Sequence, residues 1–151
     1  KWPNDVLVGD AKIAGILCEL RPGSAVIGIG LNVSMSAAEA ARIDQPATSI
    51  LIETGTVQAP REVLPILLQV LSRRLQAWQE GGFAGLRSDW CRHCLALGQD
   101  ITIDDGDTRQ TGVLAGFGDA GQLLLQPHDL AQDGSSTPVE IWSGHLRLTN
   151  R

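Results

Sequence analysis

Residues 1–20, KWPNDVLVGDAKIAGILCEL, and the GIGLN at residues 28–32 decide how this chain is read. Val6-Leu7-Val8 is a short run of strand formers, and Gly9-Asp10 has the composition of a hairpin turn. Ile13 to Leu20 reads as a second strand, Pro22-Gly23 turns the chain, and Ala25 to Val33 is a third, almost wholly apolar strand. The links are too short for parallel crossovers, so an antiparallel meander is predicted.

Beyond the meander the texture becomes helical. Residues 37–45 are Ala-rich and polar and predict one or two helical turns, and Thr48 to Glu53 predicts another. The clearest helix runs from Pro60 to Gln79. Pro60 and Glu62 stand at its start, and Val63, Leu67, Val70, Leu71, Leu75 and Trp78 recur at helical spacing. Gly81-Gly82 ends it, and Phe83 to Leu97 forms a second amphipathic helix. From Gly98 onward, short apolar runs alternate with turn signals: Asp105-Gly106, Gly116, Gly118-Asp119, Ala120-Gly121 and Gly134-Ser135-Ser136. The runs Ile101–Ile103, Val113–Leu114, Leu123–Leu125, Val139–Trp142 and Leu146–Leu148 predict a small antiparallel barrel. The expected class is therefore α+β, with a boundary near Gly98.

Composition narrows the function. Of 151 residues, 43% are hydrophobic and 19% charged, the balance of a globular protein. No segment reaches the ~20 apolar residues of a membrane helix, and no signal peptide is visible. The net charge of −5 and the scattered basic residues argue against a nucleic-acid surface. Cys91 and Cys94 form a CxxC, but Cys18, His128 and His145 are too remote to complete a zinc site by spacing. On a helix the two thiols share a face and pack as small hydrophobes. Asp104, Asp105 and Asp107 lack the EF-hand pattern and read as an acidic hairpin turn. His128 and His145 are expected on the surface without partners, and Trp142 is expected to pack.

Four places carry possible chemistry, each with two open readings. Pro3-Asn4-Asp5 is a self-bonded turn, or its carboxylate helps hold a hard cation such as magnesium. Lys12 is a solvated charge, or it faces an anion, since Ala14 and Gly15 beside it remove bulk from the strand. Gly28-Ile29-Gly30 is a twisted strand, or it clears space for a flat ligand. It is no dinucleotide fingerprint, lacking the third glycine and the following helix. Asn32 can offer both donors and an acceptor to a nucleotide or a metal-bound water.

KWPND, then K-x-x-G-I-L-x-E from Lys12, then GIGLN, in this order and spacing, closely resembles the biotin protein ligase family. The resemblance implies a partial class II synthetase-like catalytic domain, an antiparallel sheet with helices, followed by an SH3-like β-barrel. Residues 1–97 correspond to the C-terminal portion of the catalytic domain and 98–151 to the barrel. The family's glycine- and arginine-rich loop, which closes over biotin and lies upstream of KWPND, has no counterpart in these residues. The chain is thus expected to be the later part of a longer ligase and inactive alone.

The resemblance further implies ATP-dependent activation of biotin to biotinyl-5′-AMP, then transfer to a lysine of a biotin carboxyl carrier protein. Matched by motif, Lys12 is catalytic. Lys12, Ala14, Gly15, Ile16, Leu17, Gly28 and Gly30 line the biotin side. Lys1, Asn4, Asp5, Lys12 and Asn32 face ATP, and Asp5 and Asn32 face Mg2+. By alternation Lys12 and Gly15 lie on opposite faces, so either a bulge intervenes or Gly15 contributes backbone only. ATP, biotin and Mg2+ are the implied cofactors and the cytoplasm the implied compartment, with neither nucleic acid nor membrane as partner. The alternatives are a non-catalytic module that docks a ligand or carrier, and a lipoate ligase-like adenylating enzyme.

Overall fold

The computed structural model of the chain describes residues 1–128 and 137–149. It divides into two compact units: Asn4–Ser72, and Lys1–Pro3 together with the chain from Arg73 onward. The turn expected at Gly134-Ser135-Ser136 lies outside the described residues.

The unit Asn4–Ser72 is built on the predicted meander. Strands β1 (Asp5–Val8), β2 (Ala11–Arg21) and β3 (Ser24–Leu31) form an antiparallel sheet in that order. Gly9 (φ 56°) and Gly23 (φ 74°) supply the left-handed residues of the two hairpins. Helix α1 is only Ala37–Ala40, shorter than the 37–45 expected, and opens on a capping box between Ser36 and Glu39. Helix α2 is Ile50–Thr54, beginning two residues later than expected because Ser49 is its N-cap, with Gly55 (φ 68°) closing it.

Helix α3 (Pro60–His93) carries the expected break at Gly82, whose φ of 60° and ψ of −164° no helix accommodates. Its second half ends at His93 rather than Leu97. The chain turns there, with the Cys94 N–H bonding the Cys91 carbonyl, so that Ala96 is buried and the Gly98 N–H reaches the Leu114 carbonyl.

In the second unit, β4 (Asp100–Asp104), β5 (Arg109–Phe117), β6 (Leu123–Pro127), β7 (Val139–Ile141) and β8 (His145–Leu148) form one antiparallel sheet, ordered β7-β6-β5-β4-β8. The number, place and antiparallel pairing of these strands match those predicted. Ile101, Leu114, Leu123 and Leu125 make a solvent-free core. Trp2 joins it, 6% exposed, so the tryptophan of the opening motif is a packing residue. Phe83, Trp90 and Phe117 meet edge-to-face with centroids 5.8–6.5 Å apart. Cys91 and Cys94 pack half-buried against this core, as small hydrophobes do.

Asp105 to Thr108 forms the expected acidic hairpin turn, with the N–H groups of Asp107 and Thr108 bonded to the Asp105 carboxylate. Two expectations are corrected. Trp142 does not pack but stands 63% exposed. His128 is exposed yet has a neighbour, its Nε2 lying 3.0 Å from Asp100 Oδ1.

Candidate active site

The residues singled out in the sequence converge on β2. Asp5 on β1, Gly15 on β2 and Gly30 on β3 stand opposite one another in register, one row across three strands. Two residues along, Leu17 faces Gly28. The period of two puts both rows on the same face of the sheet.

Between Val6 and Leu7 the pairing of β1 with β2 slips: Val6 faces Ala14, but Leu7 faces Lys12. Ile13 is the extra residue, a bulge. The bulge resolves the conflict over Lys12 and Gly15, since one inserted residue turns the lysine toward the glycine's face. A Cβ built on Gly15 would meet Lys12 Cε at 3.2 Å and Nζ at 3.3 Å. The lysine stem therefore lies over Gly15, and its ammonium reaches Asp5 Oδ1 at 2.6 Å. Both side chains keep about a quarter to a third of their surface in solvent, at 31% for Lys12 and 24% for Asp5. An incoming anion can thus reach the ammonium.

None of Gly15, Gly28 and Gly30 has a positive φ, so the backbone does not require glycine at these positions. A Cβ at Gly28 would touch nothing nearer than 3.6 Å, and one at Gly30 nothing nearer than 4.0 Å. The protein's own packing does not demand Gly28 or Gly30 either, whereas at Gly15 the Lys12 stem occupies the space. They leave a lane bare of side chains, running from the Lys12 ammonium toward Leu17. Ala14 and Ile16 alternate onto the other face, where Ala14 is buried beside Val6 and Leu31.

A bulged residue loses ladder partners, and Lys12 finds replacements in a segment the sequence did not flag. Its N–H donates to the Pro46 carbonyl, its carbonyl accepts from the Thr48 N–H, and Ala47 pairs with it in parallel. Thr48 and Ser49 are buried. The Thr48 hydroxyl donates to the Glu53 carboxylate, and that of Ser49 donates to the Met35 carbonyl at 2.6 Å. The sequence signal for this segment is Ser49 as the N-cap of α2. Nothing in local pattern connects positions 12 and 47. Pro46 and Ala47, with Ala37, Ala40, Ile43 and Ile52, also wall an open hollow of about 470 Å³.

Asn32 closes the arrangement. Its Nδ2 donates to the Thr48 carbonyl at 3.0 Å and to the Lys12 carbonyl at 3.4 Å, so its amide nitrogen is committed to backbone. Asn4 is exposed, and its carbonyl accepts from the Ile16 N–H at 2.8 Å. Lys1 is exposed and belongs to the other unit.

As to a metal, no cluster of three or more His, Cys, Asp and Glu side chains occurs among the described residues. The carboxylate of Asp5 and the amide oxygen of Asn32 make no cage by themselves, and magnesium keeps several waters and is carried largely by substrate phosphates.

The family model of biotin/lipoate A/B protein ligases matches residues 1–36, the segment that holds Asp5, the bulge, Lys12 and the glycine lane. A biotin--[acetyl-CoA-carboxylase] ligase of Paracoccus denitrificans is 34% identical over 133 residues, covering 83% of this chain and 55% of that protein. The crystal structure of the Aquifex aeolicus biotin protein ligase superposes with a TM-score of 0.82 at 30% identity, over 98% of this chain and 64% of that one. The chain resembles the biotin protein ligase family along most of its length. It also matches the Aquifex aeolicus ligase in complex with biotin and ATP, with a TM-score of 0.76 at 29% identity. The mixed antiparallel architecture is the family's, and the chain spans about half the length of the curated relatives it matches.

Proposed function

We propose that this chain is the C-terminal part of an enzyme that adenylates biotin with ATP and transfers the biotinyl group to a lysine of a biotin carboxyl carrier protein. Residues 1–97 then form the later part of the catalytic domain and 98–151 an SH3-like barrel domain. The observation that carries the reading is the Lys12 ammonium lying over Gly15 at the head of the bare lane toward Gly30 and Gly28. A flat ligand fits a sheet without side chains, and a carboxylate fits its positively charged end.

In the first step a biotin carboxylate oxygen attacks the α-phosphorus of ATP, the bond to the β-phosphate oxygen breaks, and pyrophosphate leaves. Two anions must approach each other for this. The Lys12 ammonium offers three donors and a positive charge, so it can bond both and stabilise charge on the transferring phosphate. Gly15 and Leu17, with Ala14 and Ile16 behind them on the other face and Gly28 and Gly30 beside them, position biotin. Asp5 and the Asn32 oxygen serve the nucleotide phosphates and their magnesium, which supplies charge neutralisation when bound. Lys1 and Asn4 enter the ATP side through their place in the motif alone.

In the second step the amine of a carrier lysine attacks the acyl carbon of the mixed anhydride, and AMP leaves with the electron pair. The same reading takes the enzyme to be cytoplasmic. No helix among the described residues is long and apolar enough to cross a membrane.

The test is pyrophosphate release by the native full-length protein with biotin, ATP and magnesium, alongside lipoate and a blank without acid. Biotin-dependent release is expected. Release with lipoate alone would transfer the reading to the other branch of the matched family, and release with neither acid would overturn it.

A further inference from the structure

We infer that Asn32 is a positioning residue for Lys12, fixing the lysine's bulged backbone through its amide nitrogen, whatever its oxygen contributes to a ligand. This rests on the role proposed for Lys12 and adds to it a residue that acts through it.

The observation is a hub of four backbone groups. The Asn32 N–H donates to the carbonyl of the bulged residue Ile13 at 2.9 Å, and its own carbonyl accepts from the Ile50 N–H at 3.0 Å. Its side-chain Nδ2 spans the carbonyls of Thr48 and Lys12 at 3.0 and 3.4 Å. The β2 bulge and the segment 46–50 are thereby joined at one side chain. The Thr48 N–H and Asn32 Nδ2 both converge on the Lys12 carbonyl, while Pro46 holds the Lys12 N–H.

The requirement is steric and directional. Without the bulge, alternation would send Lys12 to the face of Ala14, away from Asp5 and the glycine lane. A bulge leaves ladder groups unpaired, and buried unpaired groups cost about 1–3 kcal/mol each. Segment 46–48 satisfies them, and only a side chain with an N–H2 group can bond two carbonyls there. Aspartate has the same shape and keeps oxygens for a ligand, but it cannot donate when ionised. The two ends of the amide can therefore be separated by substitution.

The test compares native full-length protein with its Asn32→Asp variant by amide hydrogen exchange and by biotin-dependent pyrophosphate release over a magnesium titration. We expect exchange at Lys12 and Thr48 to accelerate at least tenfold while Leu114 in the barrel is unchanged. Turnover should fall about 10- to 100-fold, with the half-saturating magnesium concentration within twofold. Unchanged exchange at Lys12 and Thr48 overturns the inference even if turnover falls, since the loss then arises at the ligand. So does turnover within twofold of wild type. Asn32→Ser, which keeps an oxygen but falls short of Thr48, serves where the aspartate variant does not fold, and the same pattern is expected. An inactive wild-type protein would refute the proposed function instead, and the exchange pattern would still decide whether Asn32 holds Lys12.

Discussion

The Lys12 ammonium lies 2.6 Å from the Asp5 carboxylate, across a bulge that carries the lysine over Gly15. The pair is partly exposed, so the attraction itself adds little stability, about 0–1 kcal/mol. Its consequence lies in the site. An ammonium already held at the glycine lane needs little reorganisation to meet an anion there.

In the proposed mechanism, replacing the lysine removes charge at the reacting centre. Lys12→Ala in the full-length protein is expected to slow adenylate formation by about 10²–10³-fold while leaving thermal stability nearly unchanged. Lys12→Arg should recover little, because a planar guanidinium cannot take the compact path over Gly15. Single-turnover pyrophosphate release checks both, and near-normal rates for the alanine variant would remove Lys12 from the mechanism.

Asp5→Ala should chiefly raise the magnesium-ATP concentration required, with less effect on biotin binding. Magnesium titrations of the pyrophosphate burst measure this. An unaltered magnesium dependence would mean that Asp5 serves the lysine alone.

Two glycine substitutions should behave oppositely. Gly30 has open space where a Cβ would go, so Gly30→Ala is expected to alter stability by less than ~1 kcal/mol yet weaken biotin binding at least tenfold. At Gly112 a Cβ would collide with the Gln126 carbonyl, so Gly112→Ala must displace strand β6. It should cost about 1–3 kcal/mol. Denaturant unfolding and biotin calorimetry on both variants distinguish a lane kept clear for ligand from a glycine kept for packing.

Acid should weaken the second unit through Asp89. The hydrogen bond from Arg74, helped by the charge of Arg92, holds the Asp89 carboxyl below its ordinary value. A carboxylate with a lowered folded pKa contributes stability that is complete above its unfolded pKa of about 3.9 and is lost as pH falls through the folded value. Melting temperatures of wild type and Asp89→Asn should therefore converge below pH ~4. Added salt should shrink the difference, since these groups are exposed. A constant difference down to pH ~2 would show that the carboxylate contributes nothing through its charge.

Strand order, the break at Gly82 and the barrel strands were legible in the sequence because each rests on local chemistry. Glycine supplies left-handed turns, apolar residues recur with the period of a strand or a helix, and Ser49 and Gly55 cap a helix wherever it lies. The motif residues Asp5, Lys12, Gly15 and Gly30 were legible too, and their register places three of them in one row. Exposure was less legible. Trp142 stands in solvent although its type favours burial, because the face it occupies is set by neighbours distant in sequence.

The sequence by itself determined which residues could turn, pair or carry charge, since these properties belong to a residue and its nearest neighbours. Only the tertiary structure decided which way Lys12 points. That direction depends on one inserted residue, Ile13, and on hydrogen bonds reaching from Lys12 to Pro46 and Thr48 and from Asn32 to both strands of the junction. Such bonds join positions sixteen or more residues apart, a separation at which hydrophobic periodicity carries no information.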